Sequence, residues 1–154
     1  MLENLMDEET TYFEITESGD FIRIDLIGLN YPNAELDWDR NWISGIVKVK
    51  AGVFSGEFKA DFMTVDFFSF KNELVKLYDN LNGIATFHTL ESQVEMKIVG
   101  DGIGHLNAEC VVMDNAGNGN KLKFEISFDQ THVPKILNQL EKIVNKFPKT
   151  GELK

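Results

Sequence analysis

The spacing of apolar residues constrains the fold of this 154-residue chain more than any other feature, because it changes period in a fixed order. Apolar and polar residues alternate over residues 121–129, and this period of two predicts a strand. The same alternation predicts strands at 12–17, 21–29, 43–50, 53–63, 84–90, 93–100 and 104–113. Apolar residues spaced three and four apart predict amphipathic helices at 66–82 and 133–147. We expect Asp66 or Thr64 to cap the first helix, Asn82-Gly83 to end it in the left-handed conformation, and Thr131 to cap the second helix.

The predicted order ββββ-α-ββββ-α lacks the regular βαβ alternation of a parallel sheet. We therefore predict an α+β fold, with a mostly antiparallel β-sheet of about eight strands and two amphipathic helices on one side of it. The length suits one domain. Residues 11–148 are predicted to form a single α+β domain, between a disordered acidic N-terminus at 1–10 and a short tail at 149–154.

The charge is concentrated at one end of the sequence. The net charge is −10, and residues 1–39 hold eleven acidic residues against one arginine, so the remainder is neutral. This acidity argues against nucleic acid as a partner, because phosphate binding requires a basic face. An acidic surface attracts basic proteins and speeds their association. Alternatively, the acidic residues serve only to solvate an exposed face of the sheet. The sequence leaves both interpretations open.

The sequence lacks the common catalytic and metal-binding motifs. None of the three histidines has the i, i+4 spacing of a zinc pair, and no G-x-S-x-G occurs. Cys110 alternates with apolar residues, which predicts a buried packing role. His105 is predicted to bind a backbone carbonyl, and the loop at 114–120 reads as a hairpin turn, since Ala116 occupies a calcium-ligand position. We predict no catalytic residue, metal or cofactor.

No run approaches the 18 apolar residues of a membrane span, and the first residues lack the pattern of a secretory signal. A single cysteine fits a reducing compartment. These features predict a cytoplasmic protein with no membrane contact.

The segment Asp37-Trp-Asp-Arg-Asn-Trp42 is unusual, because it places two tryptophans within five residues. We expect Trp42 to anchor the core, and Asp37, Asp39 and Asn41 to bind nearby backbone N–H groups. An interface role and acid–base chemistry remain alternatives, although acid–base chemistry requires a cleft.

From about residue 13 to residue 147, the chain resembles the WapI-type immunity protein family of bacteria. The resemblance rests on four segments in order: Asp37-Trp-Asp-Arg-Asn-Trp42, Gly52-Val-Phe-Ser-Gly-Glu-Phe58, Asp66-Phe-Phe-Ser-Phe70 with Leu74 and Leu77, and Asp129-Gln-Thr131 ahead of Pro134. The matched residues look like fold determinants, and no catalytic residue is among them.

The resemblance implies a non-enzymatic protein that binds and neutralises a cognate toxin. Because many toxin domains are basic, we expect the contact in the acidic N-terminal third, at Asp25, Glu35, Asp37, Trp38 and Asp39. The alternatives are a small ligand-binding or scaffolding module, with a cleft lined by Phe and Trp between sheet and helices, and an enzyme that uses carboxylates.

Overall fold

The computed structural model describes residues 11–151, so the predicted disorder of residues 1–10 lies outside the described residues. Ten main elements follow one another along the chain: β1 (Thr11–Glu17), β2 (Asp20–Leu29), β3 (Trp42–Ala51), β4 (Phe54–Met63), α1 (Thr64–Asn80), β5 (Asn82–His88), β6 (Val94–Asp101), β7 (His105–Met113), β8 (Lys121–Asp129) and α2 (Val133–Lys146). The predicted order ββββ-α-ββββ-α and the α+β class are confirmed.

The eight strands form two separate antiparallel sheets, with strand orders β1-β2-β3-β4 and β5-β6-β7-β8. Tight turns join β1 to β2 and β3 to β4. The β1–β2 turn has positive φ at Ser18 (53°) and Gly19 (88°), and the β3–β4 turn has positive φ at Gly52 (62°). Turns of this kind match the right-handed twist of a hairpin. The division into two sheets was not predicted, because alternation identifies the two faces of a strand but not its neighbours.

A cluster of five phenylalanine rings joins the two sheets through α1. The rings come from β1, β4, α1 and β5, and neighbouring centroids lie 5.4 to 6.2 Å apart. These residues are Phe13, Phe62, Phe67, Phe70 and Phe87, and each side chain is at most 1% exposed. The helix α1 packs against β5 and α2, and α2 packs against β1. Buried apolar residues of both helices and both sheets therefore belong to one core cluster.

The start of α1 follows the prediction in part. Asp66 accepts the Met63 N–H at 2.8 Å, as expected for an acidic residue in the first turn, although the helix begins two residues earlier than predicted. The left-handed residue that ends the helix lies one residue earlier than predicted, at Leu81 (φ 60°). Asn82 cannot end the helix, because it already pairs with Asp101 as the first residue of β5.

The cap predicted for α2 was wrong. Asp129, and not Thr131, accepts the hydrogen bond, from the Thr131 N–H at 2.9 Å. This bond holds a 3-10 turn, Gln130–His132, and α2 begins after it at Val133. Hydrogen bonds from Thr131, followed by the neighbouring His132, hold the pKa of the Asp129 carboxyl below its usual range.

Candidate partner-binding surface

Residues 30–41 connect β2 to β3, and we call this segment loop 30–41. Short-range bonds order its backbone: the Asn30 N–H donates to the Trp42 carbonyl at 2.9 Å, and the Asp39 N–H donates to the Leu36 carbonyl at 3.2 Å. A 3-10 turn, Asp39–Asn41, closes the loop. The loop therefore presents its side chains from a backbone that is fixed at both ends.

Asn41 fixes this loop to the body of the protein, and its side chain is fully buried. The amide nitrogen donates to the carbonyl oxygens of Asp37 (2.7 Å) and Thr150 (3.0 Å). The amide oxygen accepts from the Thr64 hydroxyl (2.9 Å) and the Thr150 N–H (2.8 Å). As predicted, Asn41 binds a backbone N–H group, that of Thr150. Its amide nitrogen also binds two backbone carbonyls, which was not predicted.

The prediction that Trp42 anchors the core was wrong. Trp42 begins β3 on the outward-facing side, since neighbouring Asn41 and Ile43 are buried and side chains alternate along a strand. Its half-buried ring instead lines a surface concavity beside loop 30–41. The buried position that we assigned to the tryptophan belongs to the asparagine before it.

Large apolar side chains of loop 30–41 face solvent. Leu36 is 67% exposed, Tyr31 is 55% exposed and Trp38 is 43% exposed. Carboxylates stand among them: Glu35 and Asp37 are exposed and Asp39 is half-buried. An exposed group of aromatic and aliphatic side chains surrounded by polar residues is typical of a protein-binding surface.

Three carboxylates from separate segments line the concavity next to this loop. It has a volume of about 430 Å³, and Asp39, Asp61 and Glu91 lie in its wall together with Tyr31 and Trp42. The Asn30 amide donates to the Asp61 carboxylate at 3.0 Å and so joins the loop to β4. Asp61 and Glu91 were not predicted, because only the fold brings β4 and the turn between β5 and β6 next to residues 30–42. The outward position of Asp61 in the alternation of its strand was the one signal in the sequence.

Four of the five predicted partner-binding residues, Glu35, Asp37, Trp38 and Asp39, lie together in loop 30–41. The fifth lies elsewhere, because Asp25 points from the middle of β2 to the outer face of the first sheet. Its carboxylate binds the Arg23 guanidinium at 2.9 Å and the Lys48 ammonium at 3.4 Å. Asp37 also has a cation of its own, since it pairs with Arg40.

The remaining candidate residues are buried or make hydrogen bonds within the fold. Cys110 is buried, as predicted, and burial raises the pKa of its thiol to about 12. His105 does not bind a backbone carbonyl; its Nδ1 lies 2.8 Å from the Asp101 carboxylate. That carboxylate also accepts the Ile103 and His105 N–H groups, and these bonds lower the pKa of Asp101. The Asp114 carboxylate accepts the Asn120 N–H at 2.8 Å, which closes the β7–β8 turn.

Residues 11–151 contain no cluster of three or more His, Cys, Asp or Glu side chains arranged for a metal ion. In the same part of the chain, no helix combines the length and apolar character needed to cross a bilayer. Five phenylalanines that could line a cleft between sheet and helices form the buried cluster described above, whereas Phe128 lines a concavity of about 190 Å³ between β1, β8 and α2. A shallow concavity of about 680 Å³ lies on the second sheet, and its wall includes Val99, His105 and Asp129.

Comparison with known proteins gives one informative match. No curated protein matches this chain. A solved structure titled "Crystal structures of trypanosoma bruciei MRP1/MRP2" aligns over 94% of this chain and 92% of its own, at 6% identity and a TM-score of 0.49, a likeness too low to support an argument. The family model described as "Immunity protein WapI-like family" matches residues 13–148, most of the chain. The chain therefore belongs to the immunity protein WapI-like family.

Proposed function

We propose that this protein binds a cognate bacterial toxin and neutralises it by occupying its surface, without catalysis. Membership of an immunity protein family supports the toxin-neutralising role. The observation that supports the place of contact is loop 30–41, where Tyr31, Leu36 and Trp38 are exposed among carboxylates. We place this activity in the cytoplasm, for which the single buried cysteine is suited.

Trp38 is the proposed anchor of the contact. Binding energy at interfaces concentrates in a few large side chains, with tryptophan and tyrosine enriched among them. Trp38 projects from the turn that Asn41 holds, so its backbone does not have to be ordered when the toxin binds. Such preorganisation lowers the entropic cost of association.

The charge around the anchor favours a basic toxin. Loop 30–41 carries Glu35, Asp37 and Asp39 against Arg40, and Asp61 and Glu91 add two carboxylates at its border. Charges at the rim of an interface mainly raise the association rate, and salt screens that effect. Asp25 lies outside this group, and its role in binding stays a prediction. Because Asp25 already pairs with Arg23 and Lys48, we expect Asp25→Lys to slow association less than substitutions in loop 30–41 do.

The test is coexpression with the polypeptide encoded immediately upstream, followed by size-exclusion chromatography and binding kinetics at several salt concentrations. We expect a stoichiometric complex that silences the toxin. Trp38→Ala should weaken it at least about tenfold, which corresponds to 1.4 kcal/mol. The double variant Glu35→Lys with Asp39→Lys should slow association at low salt and lose this effect as salt rises.

A matched control separates a local effect from the effect of net charge. Asp79→Lys with Glu109→Lys changes the charge by the same amount at two exposed residues on α1 and β7. If this control slows association as much as the loop variant, the placement on loop 30–41 is wrong. Absence of any complex, with a small molecule copurifying with the protein alone, would favour the ligand-binding alternative.

A further inference from the structure

The edge strands of the two sheets differ in how their free backbone groups are covered. On β1, the outward N–H of Glu14 donates to the Gln139 side chain of α2 at 2.9 Å. On β5, the outward N–H of Thr86 donates to the Glu73 side chain of α1 at 3.1 Å. An uncovered edge can pair with another chain, and side chains that occupy it prevent this.

On β4, among the described residues, a side chain bonds the backbone of the edge at one place, Lys59, in the C-terminal half of the strand. There the Lys59 carbonyl accepts a hydrogen bond from the Gln93 amide at 3.3 Å, so the backbone of Lys59 points away from β3. Backbone groups alternate in direction along a strand, and Ser55 and Glu57 therefore also point to the edge. Within residues 11–151, no group bonds the outward N–H or carbonyl of these two residues.

The uncovered half of β4 also exposes large apolar side chains. Phe54 is 62% exposed, and Val53, in the turn before it, is 93% exposed. The edge of β8 provides a contrast: it carries Lys121 and Lys123, and lysines protect an edge. Among the described residues, the uncovered edge and exposed apolar side chains thus coincide on the first half of β4.

We propose that a second copy of this chain pairs antiparallel with this segment, about a two-fold axis at Gly56. In this register, Phe54 of each copy lies opposite Phe58 of the other, and Ser55 lies opposite Glu57. Phe54 and the half-buried Phe58 point to the core face of the sheet. Each axis-related pair therefore extends the apolar core across the contact, and aromatic cross-strand pairs are favourable.

Neighbouring registers are excluded by charge and by space. Moving the axis by one residue to Glu57 places the two Glu57 carboxylates directly opposite each other, which is unfavourable. Moving it further places strand residues of the second copy opposite Lys59, where Gln93 already occupies the carbonyl, whereas the register at Gly56 places only the turn residue Val53 there. Moving it to Ser55 places Phe54 opposite Gly56 and leaves Phe58 without an apolar partner. The register centred on Gly56 avoids all three faults.

The hairpin that carries this edge is already ordered. The Gly52 N–H donates to the Asp20 carboxylate of the neighbouring hairpin at 2.9 Å, and the Lys50 ammonium donates to the Gly52 carbonyl at 3.2 Å. Little backbone freedom is therefore lost when the second copy binds. Pairing of two copies through β4 involves this chain alone and does not depend on the toxin.

Cysteine cross-linking tests the register directly. Gly56 of the two copies would form a pair without hydrogen bonds, with Cα atoms about 4.5 Å apart, which suits a disulfide. A Cβ at Gly56 meets Val49 at 3.8 Å, an ordinary contact, so Gly56→Cys fits the fold. The native Cys110 is buried and does not compete. Under a mild glutathione redox buffer, Gly56→Cys should form a covalent dimer, and the offset control Ser55→Cys should form several-fold less.

Sedimentation equilibrium of the unmodified protein gives the second measurement. The mass should rise with concentration toward that of a dimer. Phe54→Lys should weaken the dimer at least about tenfold, whereas Ile103→Lys, at an exposed apolar residue in the turn between β6 and β7, should not. A chain that stays monomeric up to its solubility limit overturns the proposal, as does a Gly56→Cys variant that cross-links no better than Ser55→Cys. If a toxin strand occupies this edge instead, the free chain is monomeric, which also overturns it.

Discussion

Replacement of Asn41 by alanine tests whether loop 30–41 depends on a single buried amide. The side chain is fully buried and makes four hydrogen bonds, to the backbone of Asp37, twice to the backbone of Thr150 and to the hydroxyl of Thr64. Alanine removes all four bonds. It also leaves the carbonyl and N–H of Thr150 and the Thr64 hydroxyl without this partner, whereas the Asp37 carbonyl still accepts the Arg40 N–H.

The expected loss is large for one substitution. A typical intramolecular hydrogen bond contributes about 1 kcal/mol net, and an unsatisfied buried group costs about 1–3 kcal/mol. Because the Thr150 backbone can regain water, we assign about 1 kcal/mol to each bond. Asn41→Ala should therefore lower the free energy of unfolding by about 4 kcal/mol, close to the upper end for point substitutions.

Two variants that remove fewer of the Asn41 hydrogen bonds should lower the free energy of unfolding by smaller amounts. Thr64→Val removes one of the four bonds and should cost about 1 kcal/mol. Deletion of residues 149–154 removes both Thr150 bonds and should cost about 2 kcal/mol. Thr150→Ala is the control, because Thr150 bonds Asn41 through its backbone, and it should stay within about 0.5 kcal/mol of the parent.

Urea unfolding measures these differences by tryptophan fluorescence, since Trp38 and Trp42 flank Asn41, with far-UV circular dichroism as a second probe. Coincident transitions by both probes are needed for the comparison. If Asn41→Ala costs less than about 1 kcal/mol, or if the deletion is neutral, the loop does not depend on this amide and the reasoning fails.

Two further predictions concern titratable groups, the half-buried Asp66 and the buried Cys110. Burial raises the pKa of Asp66 from 3.8 to about 6, so the folded state binds this proton more tightly than the unfolded state and loses stability as the pH rises from about 4 to 6. Asp66→Asn keeps an acceptor for the Met63 N–H but removes the titrating group. The free energy of unfolding of the variant, relative to that of the parent, should therefore rise by up to about 3 kcal/mol between about pH 4 and 6. Urea midpoints of variant and parent that run parallel across this pH range would contradict the prediction. The buried Cys110 thiol, with a pKa of about 12, should resist a thiol reagent in the folded protein and react fully in denaturant; rapid reaction of the native protein would show that the strand opens.

Elements defined by one face could be predicted from the sequence. The alternation of β8 gives its observed bounds, 121–129, and the apolar stripe of α2 places Val133, Ile136, Leu140 and Ile143 in the core, as found. Burial of one face selects these patterns, so they are visible in the sequence without knowledge of neighbours.

Features that depend on distant neighbours could not be predicted. Nothing local in Asn41 shows that Thr150 will supply two of its four partners, and Trp42 looks like the better core residue because it is larger and more apolar. The caps failed for a related reason, since Leu81 turns left-handed where Asn82 is needed for β5 pairing. Loop 30–41 could be proposed as a surface from its composition, but Asp61 and Glu91 join it only through the fold.

The bonds between Asn41 and Thr150 have a consequence for the newly made protein, because they join residues 109 positions apart. Two of the four Asn41 bonds cannot form until residue 150 has left the ribosome, and at about 5–20 residues per second residue 150 is made about 5–20 s after Asn41. Loop 30–41 would then gain these two bonds only after residue 150 is made. Chains stalled before residue 150 should be cleaved in loop 30–41 by protease more readily than chains that extend past it.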